Sequence, residues 1–146
     1  MYVSARSDYA VRAMLAIADT DHRETRELVK AATLATSQEI PLSFLQGILL
    51  DLRRAGLLHS HRGVEGGYAL ARPADAITVG DVLRAVSGSL TMVRGLPADA
   101  AGYHGVAAGL TDVWLAVHEA IEEVVDTATL ADLLSRARLE HEATTR

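Results

Sequence analysis

Ala55-Gly56-Leu57-Leu58-His59-Ser60-His61-Arg62-Gly63-Val64-Glu65-Gly66-Gly67-Tyr68-Ala69-Leu70 carries the strongest structural signal in this 146-residue chain. It reads as the end of one helix followed by two short strands around a glycine-rich tip. Gly56 is where the helix stops, because a residue without Cβ takes the left-handed cap conformation at no steric cost. Leu57 and Leu58, then Tyr68 and Leu70, put apolar positions on either side of Arg62-Gly63 and Gly66-Gly67, the punctuation of a hairpin. An arginine on a glycine-rich hairpin just after an amphipathic helix is the layout of a winged helix. In that layout the helix enters a DNA major groove, and the wing arginine reaches phosphates or the adjacent minor groove.

The flanking sequence supplies the rest of such a domain. Ala10, Val11, Met14, Leu15, Ile17 and Ala18 recur at helical spacing and predict a first helix over residues 5–20, with Asp19-Thr20-Asp21-His22 breaking the pattern. A second helix is predicted over 26–37, with Leu28, Val29, Ala32, Leu34 and Ala35 on its buried side. Residues 37–41 form a turn, and Pro41 suits the first turn of a third helix, where its missing N–H costs nothing. That helix, 42–55, is expected to bury Phe44, Leu45, Ile48, Leu49 and Leu52 and to expose Ser43, Gln46, Gly47, Arg53 and Arg54. Two helices, a tight turn and a hairpin make a helix-turn-helix with a wing. Beyond the wing, Thr78 caps a fourth helix carrying Val82, Leu83 and Val86 and ending near Gly88.

The expected fold class is therefore mainly α with a small β-hairpin wing. A winged helix-turn-helix occupies 1–88, with the wing at about 57–72. A Gly/Ala/Pro-rich irregular loop follows at 89–109, and 110–146 holds a long dimerisation helix and a short last helix beginning at Thr129. In the long helix Val113, Trp114, Val117, Ile121, Val124 and Val125 recur at three and four, with acids outward. Such a helix is about 25 Å long at ~1.5 Å per residue. It lies outside the compact winged unit, so the economical partner for Val113, Trp114, Val117, Ile121 and Val124 is the same helix of a second copy.

Composition narrows the function. There is no cysteine, hence no disulfide, thiolate metal site or Cys nucleophile. No run approaches the ~18 apolar residues of a membrane span, and Met1-Tyr2-Val3-Ser4-Ala5-Arg6 lacks the apolar core of a signal peptide, so the expected location is the cytoplasm. A net charge of −5 is unusual for a nucleic-acid binder. Its distribution resolves the difficulty: residues 1–72 carry nine Lys/Arg against eight Asp/Glu, and residues 73–146 five against eleven. Arg53, Arg54, His59, His61, Arg62 and Arg72 bunch around the helix end and wing. A locally basic surface is what neutralises phosphates, whatever the global charge.

The expected DNA contacts are Ser43, Gln46 and Gly47 at the exposed start of the third helix, and Arg53 and Arg54 at its end. His61, Arg62, Gly63, Gly66, Gly67 and Tyr68 follow on the wing. Gln reads adenine bidentately, and a hydroxyl serves bases or phosphates. Gly47 leaves a notch for a sugar-phosphate edge, and the wing glycines let the backbone approach a groove wall while Arg62 brings the charge. Arg53 and Arg54 also complement the helix dipole. His59 and His61, two apart on one strand face, have the spacing of a metal clip with Asp51 or Glu65. The plainer reading, preferred here, is a pair of histidines facing phosphate, with no metal. Tyr103 and His104, with Trp114 and His118, are candidates for an effector pocket. No catalytic triad, phosphate loop or HExxH is present, so an enzyme is not expected.

Four segments resemble the Rrf2 family of bacterial winged-helix regulators. They are Val3-Ser4-Ala5-Arg6-Ser7-Asp8-Tyr9-Ala10-Val11-Arg12-Ala13 and Ile40-Pro41-Leu42-Ser43-Phe44-Leu45. The third is Leu52-Arg53-Arg54-Ala55-Gly56-Leu57 with Arg62-Gly63 and Gly66-Gly67-Tyr68-Ala69-Leu70-Ala71-Arg72-Pro73. The last is Ile77-Thr78-Val79-Gly80-Asp81-Val82, with Trp114 and Thr129-Leu130-Ala131-Asp132-Leu133. The resemblance implies a homodimer built through the long helix, with DNA contacts from Ser43, Gln46 and Arg62. Cluster-binding members hold three cysteines in the loop that here runs over 90–110 without any, and Thr111 stands where a ligand histidine can occur. An iron–sulfur centre needs thiolates, so none is expected. The function expected is a sequence-specific transcriptional regulator, a repressor, binding a pseudo-palindromic double-stranded promoter site as a homodimer without a cofactor. Its DNA affinity would be set by a small-molecule or protein effector or by nothing but its own concentration. The alternative is a winged-helix dimer acting through a protein partner, with DNA readout lost or secondary.

Overall fold

A computed structural model describes residues 1–22 and 27–146. Its described helices are α1 (Ala5–His22), α2 (Ala31–Gln38), α3 (Leu42–Arg54), α4 (Val79–Ser87), α5 (Leu110–Thr127) and α6 (Leu130–Thr145). An antiparallel hairpin of β1 (Leu58–His61) and β2 (Gly67–Leu70) follows α3, with Leu58 opposite Leu70 and His61 opposite Gly67. None of the described helices is long and apolar enough to cross a membrane.

The core sits where α1 crosses α2, α3 and α4. Ala10, Ala13, Met14, Ile17 and Ala18 of α1 meet Leu34 of α2, Leu45, Ile48, Leu49 and Leu52 of α3, and Val82 of α4, all buried. Spacings of three and four put each set on one helix face. Alanines on α1 let the helices approach closely. Phe44 departs from expectation: it is 56% exposed, because the inward face of α3 is filled by Leu45, Ile48, Leu49 and Leu52. The helix ends as read. Gly56 takes φ +76°, and the amides of Gly56 and Leu57 donate to the carbonyls of Arg53 and Leu52, both at 3.0 Å.

The second helix is shorter than its pattern suggested. The start placed at Arg26 lies outside the described residues, and Leu28 and Val29 precede the helix. Val29 is extended and exchanges two backbone hydrogen bonds with Tyr68, at 2.8 and 2.9 Å, adding a third edge to the wing. Its side chain packs against the core as a helical one would, so the helical period could not reveal the backbone pairing. Pro41 sits one residue before α3, at its N-cap, and Glu39 makes the turn with φ 54°.

The loop at 89–109 is more ordered than expected. Met92–Val93 (β3) and Leu96–Pro97 (β4) pair around Arg94-Gly95, both with positive φ, a tight two-residue hairpin turn. Two single 3-10 turns, Ala98–Ala100 and Gly105–Ala107, complete it, and Ala98 and Ala101 are buried. The last helix runs 16 residues, since no glycine or proline interrupts it once its capping box (Thr129 with Asp132) has started it. The α5–α6 junction is stitched to the start of α4: Val79 N–H donates to Ala128 at 2.9 Å and Leu130 N–H to Ile77 at 3.0 Å.

Candidate DNA interface

A groove of about 730 Å³ runs between the outer face of α3 and the wing. Gln46, Leu50 and Arg53 line one wall, and Ser60, His61, Arg62, Gly63, Val64 and Tyr68 the other; Lys30 and Ala31 at the start of α2 close one end. Gln46, Arg53, His61, Arg62 and Lys30 are all exposed. The groove therefore carries three permanent cations, a histidine and a side-chain amide. That is the combination that neutralises phosphates and reads a base edge.

The structure brings Gln46, Arg53, His61, Arg62, Gly63, Gly66, Gly67 and Tyr68 of the expected contacts to this one groove. Ser43, Gly47 and Arg54 are not among its lining residues and lie on the adjacent flank of α3. Two glycines have a different reason from the one read in sequence. A Cβ on Gly66, which is buried, would meet the His61 carbonyl oxygen at 2.2 Å, and one on Gly67 would meet that of Val29 at 2.8 Å. Both are required by the packing of the hairpin itself. Gly63, with φ +112° and open space around it, is the glycine at the exposed tip. Lys30, the only lysine of the chain, escaped sequence reasoning. Placing a helix start at Arg26 hid that Lys30 stands just before α2, beside the wing.

The second constellation divides. Trp114 Nε1 donates to the Tyr103 hydroxyl at 2.8 Å, and the Arg94 guanidinium lies over the Tyr103 ring, 5.2 Å from its centre. His118 belongs to another network: its Nδ1 meets Thr91 Oγ1 at 2.9 Å, and its Nε2 pairs with Glu122. Glu122 in turn reaches Arg84 at 3.3 Å, and Arg84 makes a bidentate pair with Asp126, both bonds 2.7 Å. The hydrogen bonds from Arg84 hold the Asp126 carboxyl below its ordinary range, and the same bonds push Arg84 up. His104 is exposed at the lead-in to a 3-10 turn, apart from both groups. The four residues do not form one pocket: Trp114 and Tyr103 brace the loop on α5, His118 joins the network that ties α5 to α4, and His104 takes part in neither.

The loop does not fit an iron–sulfur centre. No thiolate exists anywhere in the chain. The hydroxyl of Thr111 donates to the Ala101 carbonyl at 3.4 Å and Arg94 to that of Gly102 at 3.1 Å, closing the loop on itself. Among the described residues no three His, Asp or Glu side chains are grouped as a metal-ligand set. On the wing, His59 and His61 share an exposed strand, while Asp51, weighed as a third ligand, is paired with Arg6.

The long helix carries two stripes where one was expected. Leu110, Val113, Val117 and Val124 are exposed, Val113 by 50%, Val117 by 40% and Val124 by 68%. Trp114 and Ile121 turn partly inward, and Val125 is buried.

A family described as "Rrf2: Iron-dependent Transcriptional regulator" matches residues 3–136. The chain is 43% identical to Rv1287 of Mycobacterium tuberculosis, named as an HTH-type transcriptional regulator, over 98% of its own length and 87% of that protein's. It is 32% identical to the HTH-type transcriptional regulator CymR of Bacillus subtilis over 98% and 96%. The solved structure of that CymR, described as a global cysteine regulator, superposes with a TM-score of 0.76, covering 93% of this chain and 98% of that one. T. potens IscR superposes with a TM-score of 0.74 at 35% identity, covering 94% and 88%. With the helix-turn-helix, the wing and the length of the match in agreement, this chain belongs to the Rrf2 family of winged-helix transcriptional regulators.

Proposed function

We propose that this regulator binds a pseudo-palindromic promoter duplex as a homodimer and represses by occupying it, with DNA affinity independent of an iron–sulfur cluster. The observation that carries the reading is the groove in which Lys30, Gln46, Arg53, His61 and Arg62 converge from three elements. Gln46 reads a base edge from α3, Arg62 enters the adjacent minor groove from the wing tip, and Lys30 and Arg53 hold phosphates between them. The exposed stripe of Leu110, Val113, Val117 and Val124 supports the dimer: an apolar row on an 18-residue helix is covered economically by its own copy about a two-fold axis. Two grooves so related match two half-sites. An effector, small molecule or protein, would act on the loop braced by Arg94, Tyr103 and Trp114, whose closure on α5 would transmit to α4 through Arg84.

The test is selection from a random duplex library by the purified protein, followed by affinity measurement on the selected duplex at two salt concentrations with Arg62→Ala in parallel. The expected result is a two-fold-symmetric sequence, binding that weakens with salt, and a further loss on removing Arg62. Failure to enrich any sequence would leave the partner-protein reading in its place.

A further inference from the structure

The conspicuous N-terminal segment Ser4-Ala5-Arg6-Ser7 takes no part in the α3–wing groove, yet it is firmly fixed. Ser4 caps α1, its hydroxyl accepting the Ser7 amide at 3.1 Å and its carbonyl the Asp8 amide at 3.0 Å. The buried Ser7 hydroxyl meets that of Ser87 at the end of α4, at 2.6 Å. What this anchoring aims is Arg6. Its guanidinium crosses to α3, where Nη2 pairs with Asp51, and Nη1 lies so near Gly47 that a Cβ there would sit 3.9 Å from it. The two side chains remain 37% and 32% exposed.

Ser43, Gly47 and Asp51 stand four residues apart and so form one ridge of α3. At Gly47 that ridge has no side chain of its own, and the guanidinium of Arg6 lies beside it. Position 47 lies next to Gln46, on the N-terminal half of α3, the half that enters a groove in helix-turn-helix proteins. An unpaired carboxylate at Asp51 would repel the phosphates flanking that groove. Arg6 cancels it and has N–H groups left over, since a guanidinium carries five donors. The hydrogen bond to Asp51 is the one that Arg6 makes among the described residues.

We propose that Arg6 is a further DNA-backbone contact, delivered from α1 onto the recognition helix at Gly47, with Asp51 as the residue that positions it. The inference rests on the duplex-binding reading above. In the complex the guanidinium bridges the Asp51 carboxylate and a phosphate, two acceptors that its fork of donors serves together.

The salt dependence of binding to the selected duplex tests it, since each phosphate contact contributes about 0.9 to the slope of log affinity against log salt. Arg6→Ala is expected to weaken binding and flatten the slope by about 1, and Arg6→Lys to keep the slope while losing part of the affinity. The decisive variant is Arg6→Ala/Asp51→Asn, in which no carboxylate is left to repel DNA. A slope that stays flattened there supports a phosphate contact by Arg6. A slope and affinity restored to those of the unsubstituted protein would overturn it and leave Arg6 as a shield for Asp51. Arg62→Ala separates the two levels: if it weakens binding while the Arg6 variants keep the full slope, this inference alone fails. If the unsubstituted protein binds no duplex, both readings fall.

Discussion

The winged unit and the α5–α6 arm are built to different degrees of completion. In the first, four helices and a hairpin bury one continuous core, with Leu42, Phe44 and Val64 among the large apolar side chains left exposed. In the second, α5 buries only Val125, and the arm's one member of the main core is Leu130. Charge is also unevenly shared, near balance over residues 1–72 and strongly acidic over 73–146. The basic groove therefore sits on the part with the continuous core, which the arm completes with Leu130. The arm leaves an apolar row exposed, which the proposed dimer would cover.

The largest effect that would break this comparison is expected in the core. Leu49→Ala removes a fully buried side chain of α3 and should cost about 2–5 kcal/mol, read as a shift of the urea midpoint. A small shift would mean that the winged unit is not the stable part. Next, Val117→Asp places a carboxylate in the stripe assigned to the dimer. An unpaired charge buried there costs about 3 kcal/mol or more, so sedimentation at micromolar concentration should show a monomer with its helical signal intact. A dimer that survives would move the interface elsewhere.

Arg62→Ala follows, at about 1–3 kcal/mol of DNA affinity with no change in dimerisation. The two capping boxes sharpen the contrast further. Thr78→Ala, at the junction of α4 with the arm, should cost about 1 kcal/mol, and Thr129→Ala, whose bonds are exposed, less. The smallest effect is that of the Arg84–Asp126 pair, at most about 1 kcal/mol for side chains this exposed. Because Asp126 is held below its ordinary range in the fold, this contribution is present at neutral pH and fades as acid protonates the carboxyl. The melting temperatures of the unsubstituted protein and Asp126→Asn should therefore differ near neutrality and converge below about pH 4. A difference that persists into acid would assign it to packing against Gly80, which has no room for a Cβ beside Asp126.

Much of this was legible in sequence because the signals were local. Gly56 ends a helix by its own φ, Thr78 with Asp81 closes its own capping box, and the leucine spacing of α3 marks its own inner face. Where reading failed, the deciding contact came from elsewhere in the chain. Val29 has an apolar side chain at helical spacing, yet its backbone is claimed by Tyr68, 39 positions downstream. Gly66 and Gly67 signal a turn, but the atoms that exclude a Cβ belong to His61 and Val29. Trp114, Val117 and Ile121 share a helix, and which side of it is covered depends on what packs there, including Tyr103, which accepts from Trp114. The pairing of Arg6 with Asp51 crosses 45 positions and leaves no trace in any motif.

The central claim is that the α3–wing groove of a dimer binds its duplex with no metal centre. Its most direct test is footprinting on the selected duplex with protein purified in air and stripped with a chelator, beside protein treated with iron and sulfide under anaerobic conditions. Equal protection of two symmetric half-sites by both preparations is the predicted result. Protection that appears only after iron and sulfide treatment would contradict the account, since a chain without cysteine would then owe its DNA binding to a cluster held by other ligands.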